Sequence, residues 1–327
     1  MNDVICGNSL TELKKIESSS IDLILTSPPY YQQRNYTNGK YREEIGVEGS
    51  IEHYMERLYL VFWECVRVCK PTGSIVFNIG DCYIDKSLQL VPYRFAVLVQ
   101  RRCEVKLINE ITWVKTNPTP RQYKKRLVSA TEPFFHFVKS DKYFYNREAF
   151  LQSDKVQSKP TGKKGMRYSQ LIESSDLSKV EKRNAQAVLQ EALSELHRGK
   201  IADFRMKLRG VHKKAFGGQS GGRNNQIEKQ GFTLIRMYGR KLKRDVIESP
   251  VADTKKIDHP AVFPLQVINE MIQLLTKVEN VVLDPFCGSG QTLIAAKELK
   301  RRYMGIDINP KYCKHAKQRL AEREQEL

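Results

Sequence analysis

The apolar run Ile21-Asp22-Leu23-Ile24-Leu25 is halted by two adjacent prolines in Thr26-Ser27-Pro28-Pro29-Tyr30. Proline fixes φ and carries no backbone donor, so a proline pair cannot continue a central strand. The residue before each proline is driven out of the helical region, so the chain must leave the sheet stiff and extended. Ser27 and Tyr30 are thereby presented at the carboxyl edge of a strand, where open α/β sheets bind their ligands. Taken alone, the five residues are equally well explained as a rigid exit from a strand. Their surroundings decide between the two.

Around that exit, residues 1–148 alternate strand-like and helix-like segments. Strands are expected at Asp3 to Gly7, Ile21 to Thr26, Ser74 to Ile79, Val105 to Lys115 and Glu132 to Val138, with helices at Ile51 to Cys69 and Val91 to Gln100. Lys70-Pro71-Thr72-Gly73 reads as a turn. Residues 259–327 return to the same texture, with helices at Phe263 to Leu275 and Gln291 to Leu299 and strands at Asn280 to Asp284 and Tyr303 to Asp307. This second stretch is too short to bury a core of its own, so it is expected to complete the sheet begun by the first. The fold class is therefore α/β, with a doubly wound, largely parallel sheet assembled from the N- and C-terminal regions.

Between them, residues 149–258 break the pattern and read as an insertion. Ser178 to Arg198 contains no Gly or Pro, Ser178 and Glu181 have capping-box spacing, and Leu189, Leu193 and Leu196 share a helical face. Phe216 to Asn225 is polar and glycine-rich, as flexible loops are. The chain carries a net charge of +18. Residues 151–250 hold 22 Lys and Arg against 10 Asp and Glu, so most of that excess lies in under a third of the chain. A clustered basic excess is the footprint of a surface that meets phosphate backbones.

Composition excludes other classes. At 40% hydrophobic and 9% aromatic residues, the chain has material for a sizeable core and is not globally disordered. No basic start precedes an apolar run at the N-terminus, and no apolar stretch approaches the roughly 18 residues of a membrane span. The chain reads as soluble and cytoplasmic. Seven scattered cysteines, without a second pair or a His cluster beside Cys65 and Cys69, give no metal site and suggest reduced thiols.

A second motif follows the strand Val281-Val282-Leu283: Asp284-Pro285-Phe286-Cys287-Gly288-Ser289-Gly290-Gln291-Thr292. Two glycines let backbone approach a ligand closely at a helix start. The segment lacks the Gly-Lys-Ser/Thr ending of a phosphate-cradling loop and the third glycine of a dinucleotide fingerprint. Asp284 suits a ligand bearing an amino group, and Asp307, at the end of the next strand, suits ribose hydroxyls. An amino group at one end and a ribose at the other describe S-adenosylmethionine.

Together these segments resemble the permuted, beta-group DNA amino-methyltransferases of bacterial restriction-modification systems and phages, with the catalytic Ser-Pro-Pro-Tyr first and the cofactor glycines near the C-terminus. The resemblance spans about residues 2–148 and 256–317. It rests on Asp3 to Leu10, Ile21 to Tyr30, Lys70 to Asp81, Leu88 to Ala96, Ile111 to Pro120, Thr131 to Ser140, His259 to Pro264, Asp284 to Thr292 and Gly305 to Pro310. It implies a Rossmann-like methyltransferase sheet with an inserted target-recognition region. It also implies that Asn8, Phe263, Asp284, Phe286, Gly288, Gly290, Thr292 and Asp307 hold the cofactor. Asn8 departs from the family's frequent Gly-Asp, although its carboxamide oxygen is still able to accept from an adenine amino group.

On that resemblance, Ser27 and the Pro28 carbonyl accept hydrogen bonds from an exocyclic base amine, and Pro28 and Pro29 hold those acceptors rigid. Tyr30 offers a face to a base rotated out of the duplex. No Pro-Cys dipeptide occurs, so the familiar cysteine-dependent route to 5-methylcytosine is absent. Ser before the prolines resembles cytosine-N4 enzymes, whereas adenine-N6 enzymes usually carry Asp or Asn. Adenine N6 is the alternative, with RNA methylation or non-catalytic nucleic-acid binding behind it. The expected partners are double-stranded DNA and a companion restriction endonuclease. In the basic insertion, Lys213, Lys214, Arg223, Arg240, Lys241, Lys243 and Arg244 are the candidate backbone contacts.

Overall fold

A computed structural model describes residues 2–33, 43–118, 123–146, 162–212, 223–237, 244–251 and 264–326. The chain divides into two compact units, residues 1–149 with 244–327, and residues 150–243.

The first unit is built on an eight-stranded sheet among the described residues. Its strands, in chain order, are β1 (Asp3–Cys6), β2 (Ile21–Thr26), β3 (Cys69–Asn78), β6 (Lys106–Lys115), β7 (Thr131–Val138), β10 (Val246–Ser249), β11 (Val281–Asp284) and β12 (Arg302–Asp307). Across the sheet they run β1-β12-β11-β2-β3-β7-β6-β10. All neighbours are parallel except at β7, which is antiparallel to both β3 and β6. The largely parallel, doubly wound sheet assembled from both ends of the chain is therefore present. A two-strand ribbon, β4 (Tyr83–Ile84) and β5 (Ser87–Leu88), follows β3.

Helices α1 (Ser9–Leu13), α2 (Ile51–Val68) and α3 (Val91–Arg102) pack on one another and on the sheet, as do α7 (Leu265–Leu275), α8 (Gln291–Glu298) and α9 (Pro310–Glu326). The first group covers the sheet face that carries Ile75, Phe77, Phe135, Phe137, Leu283 and Ile306. Phe62 of α2 meets Phe77, Phe95 and Phe137 at ring-centroid distances of 5.3, 5.5 and 5.1 Å, all edge-on, the favoured approach of aromatic quadrupoles. Leu23, Leu25, Val76 and Val282 are also fully buried, and α7 and α8 pack on β2 and β11. Because side chains alternate, strands covered on both faces read as unbroken apolar runs rather than alternating ones. That is why Leu23 to Leu25 and Val281 to Leu283 stand out in the sequence.

Two boundaries differ from the sequence reading. Pro71-Thr72-Gly73 is not a turn ahead of a strand but an irregularity inside β3, where the pairing with β2 steps from Ile21–Cys69 to Leu23–Ser74. The chain re-enters the first unit at Arg244, ahead of residue 259, because Val246–Ser249 pairs with Thr112–Lys115 at the sheet edge.

The second unit holds α4 (Gly162–Glu173), α5 (Lys179–His197), β8 (Asp203–Leu208), α6 (Arg223–Gln230) and β9 (Phe232–Met237), with β8 and β9 antiparallel. The capping box at the start of α5 is formed by Ser178 and Glu181 in both directions. Its buried face carries Ala185, Leu189, Ala192 and Leu196, packed on Phe204, Met206, Leu208 and Phe232. Leu193 is only partly buried and packs at the margin of that core.

Candidate active site

Order in the sheet places the site. From β11 the chain runs outward through α8 to β12, while from β2 it runs the opposite way through α2 to β3, so strand order reverses between β11 and β2. Open α/β sheets bind ligands in the crevice beyond such a reversal. A cleft of 1080 Å³ opens there, lined along the carboxyl edge by Asn8, Ser27, Asn78, Lys115, Glu132, Asp284 and Asp307.

At one end, Pro28, Pro29 and Tyr30 line the cleft beside Ser27. The Tyr54 hydroxyl donates to the Pro29 carbonyl at 3.0 Å, fixing the stiff exit from outside. Ser27 Oγ donates to Tyr30 Oη at 3.1 Å. Tyr30 Oη in turn donates towards Asn78 Oδ1 at 2.6 Å and lies 3.0 Å from Glu132 Oε2. Asn78 Nδ2 donates to the Pro133 carbonyl at 3.0 Å, which turns the amide oxygen towards Tyr30. Lys115 forms an ion pair with the other Glu132 oxygen and sits 5.0 Å from the centre of the Trp113 ring. The Tyr30 ring rests on Gly80, where any side chain would overlap it.

At the other end, Asp284 is buried and its Oδ1 accepts from Thr26 Oγ1 at 2.6 Å and from the Phe286 N–H at 3.1 Å. Burial pushes its carboxyl up to about 6, although hydrogen bonds from Thr26, Thr292 and Phe286 pull the other way. Asp307 accepts from the Gly288 N–H at 2.9 Å and the Asn309 N–H at 2.8 Å. Burial pushes it up to about 6 as well, with the charges of Asp284 and Glu44 adding to the rise. Gly288 and Gly290 adopt φ of +51° and +81°, in the left-handed region that glycine enters without strain. Two desolvated carboxylates facing one cleft would gain from a cationic or hydroxyl-rich ligand, and the S-adenosylmethionine chemistry read from sequence fits this donor set.

Asn8 has a structural task that sequence reasoning missed: its Oδ1 caps α1 by accepting the Thr11 N–H at 3.1 Å. Phe286, Gly288 and Thr292 line the cleft with Asp284. Phe263, Lys213, Lys214, Arg240, Lys241 and Lys243 lie outside the described residues, as does most of the glycine-rich loop. Arg223 opens α6, and Arg244 is exposed in the first unit. Sequence reasoning singled out neither Asn78, Glu132 nor Lys115. The only signal for them was that each sits at the cleft end of a strand that the resemblance covers.

Comparison with known proteins bears on the fold and the family. The family model N6_N4_Mtase, described as DNA methylase, matches residues 21–318. The type II methyltransferase M.SfiI of Streptomyces fimbriatus is 27% identical over 380 residues, covering 94% of this chain and 88% of the relative. Among solved structures, the cytosine-N4-specific PvuII DNA methyltransferase superposes with a TM-score of 0.63 at 16% identity, covering 98% of this chain and 86% of its own. TTHA0409 of Thermus thermophilus, solved with S-adenosyl-L-methionine, superposes with a TM-score of 0.55 at 21% identity, covering 98% and 94%. The chain belongs to the N6_N4_Mtase family of DNA methylases.

Proposed function

We propose that this DNA methylase transfers a methyl group from S-adenosylmethionine to the exocyclic N4 of a cytosine rotated out of duplex DNA. The observation that carries the reading is the single cleft uniting the Ser27 end with the Asp284 and Asp307 end. S-adenosylmethionine supplies an electrophilic sulfonium methyl group. Asp284, Phe286, Gly288, Gly290, Thr292 and Asp307 are the residues that would hold it. Each Asp307 oxygen retains a lone pair beyond its backbone partner, which suits ribose hydroxyls. TTHA0409, solved with this cofactor, shares the fold.

A base amine is a weak nucleophile because its lone pair is delocalised into the ring. The chain's task is to orient that lone pair, and direction in the hydrogen-bond network favours it. Ser27 gives its proton to Tyr30, and Tyr30 gives its own towards Asn78 and Glu132. Donors therefore run from Ser27 towards Asn78 and Glu132, and Ser27 Oγ keeps its lone pairs for an incoming N–H. The Pro28 carbonyl is the second acceptor, and the locked prolines hold both in a near-attack arrangement. Methyl transfer then forms one N–C bond, breaks one S–C bond and releases one proton from the amine, without a covalent enzyme intermediate.

Cytosine is chosen because Ser27, rather than Asp or Asn, precedes the prolines. Adenine N6 is the second reading, favoured by a family that joins both chemistries under one name. DNA from cells expressing the protein, digested to nucleosides and analysed by mass spectrometry, is expected to contain N4-methylcytosine. N6-methyladenine would move the assignment to adenine, and 5-methylcytosine would overturn the mechanism. Ser27→Ala and Tyr30→Ala are expected to lose methyl transfer while retaining cofactor binding. A type II relative makes a companion endonuclease part of the proposal, to be sought beside the coding sequence.

A further inference from the structure

Between β6 and β7 the chain passes along the cleft rim through Tyr123-Lys124-Lys125-Arg126-Leu127-Val128. Leu127 is 91% exposed, more than any other large hydrophobic side chain among the described residues. One exposed leucine is ordinary on a soluble protein. Three further observations set this one apart.

The loop is anchored. The Arg126 guanidinium lies 3.6 Å from the centre of the Tyr83 ring and 3.7 Å from that of Tyr123, so a cation held between two rings fixes the backbone next to Leu127. The loop is also placed. Arg126, Val128 and Thr131 line the same cleft as Ser27, and Glu132, five residues on, holds the Tyr30 hydroxyl. Finally, it is charged to suit its surroundings. Lys124 and Lys125, three and two residues before the leucine, are both exposed, as suits a segment pressed against phosphates.

We propose that Leu127 is a wedge that enters the DNA base stack when the target base leaves it. The proposal rests on the methyl-transfer reading above and adds how the duplex is opened. A base reaches Ser27 only after unstacking and unpairing. An apolar side chain inserted into the vacated step replaces the lost stacking contacts, while a neighbouring cation pair grips the backbone. The Tyr83-Arg126-Tyr123 stack keeps that side chain aimed outward, so the ordering cost is met before DNA arrives.

The test is single-turnover methyl transfer by the full chain on two duplexes carrying the site mapped by modified-base sequencing. One duplex is fully paired; the other has an abasic position opposite the target base, which is then already partly released. Leu127→Ala is expected to be slower by about tenfold or more on the paired duplex and within about twofold of wild type on the abasic one. Leu127→Met, which keeps an apolar wedge, is expected to retain the paired-duplex rate. Equal loss on both duplexes, or no loss on the paired one, overturns the proposal. Absence of transfer by the wild-type chain on either duplex sinks the methyl-transfer reading itself, and the wedge with it.

Discussion

Thr26 donates its hydroxyl hydrogen to Asp284 Oδ1 across 2.6 Å of space and 258 residues of sequence. Both side chains are buried, and the bond joins the ends of the two strands between which strand order reverses. It ties the Ser-Pro-Pro-Tyr exit to the glycine turn that faces it. Thr26→Val keeps the shape and removes the donor, leaving a buried carboxylate short of a partner. A loss of about 1–3 kcal/mol is expected in denaturant unfolding.

Asp284 and Asp307 both have folded-state values of about 6, above the ordinary 3.8. The folded chain therefore takes up protons between about pH 6 and about pH 4 more readily than the unfolded chain does. Stability of the ligand-free protein from these two groups is lowest above about pH 6, rises as pH falls through the folded values of about 6, and levels off only near the unfolded value of 3.8. Asp284→Asn is expected to flatten part of that rise in thermal unfolding measured across the range. Calorimetry is expected to show cofactor affinity moving the opposite way in the wild type, weakening below about pH 6 as the carboxylates lose charge.

Gly80 has no room for a side chain. A methyl group there would overlap the Tyr30 ring, which cannot swing aside without leaving Asn78 and Glu132. Gly80→Ala is expected to slow methyl transfer by about a hundredfold, the usual cost of shifting a positioned group by an ångström, with cofactor affinity intact. Single-turnover kinetics beside a cofactor-binding isotherm separate the two effects.

Glu132 holds both Tyr30 and Lys115. Glu132→Ala removes one acceptor of the tyrosine hydroxyl and takes the ion-pair partner from a partly buried ammonium. A tenfold to hundredfold loss in kcat is expected, on the order of 1.4–2.8 kcal/mol in the barrier. The KM for the cofactor should stay near the wild-type value. A change confined to KM would remove Glu132 from the network that orients Ser27.

The basic excess of residues 151–250 predicts that DNA affinity falls steeply with salt. Binding isotherms at several salt concentrations measure the slope. Arg244→Ala is expected to reduce that slope by about 1, the change for one lost phosphate contact. A slope near zero for the wild type would leave the excess without a role in DNA binding.

What the sequence determined by itself was local. Leu23 to Leu25 and Val281 to Leu283 announced buried strands, because an unbroken apolar run is the pattern that burial on both faces selects. The prolines after Thr26 announced a rigid exit, and Gly288 and Gly290 after Asp284 announced a tight turn into a helix, since each requirement is met within a few residues. Ser178 and Glu181 announced a cap for the same reason. Tertiary structure alone decided which polar groups meet. Tyr30 reaches Asn78 across 48 residues and Glu132 across 102, and the carboxyl edge brings them together only because β3 and β7 are neighbours. Strand order likewise put Thr26 against Asp284 and Val246–Ser249 against β6. A periodic pattern records whether a side chain is buried; it does not record against what.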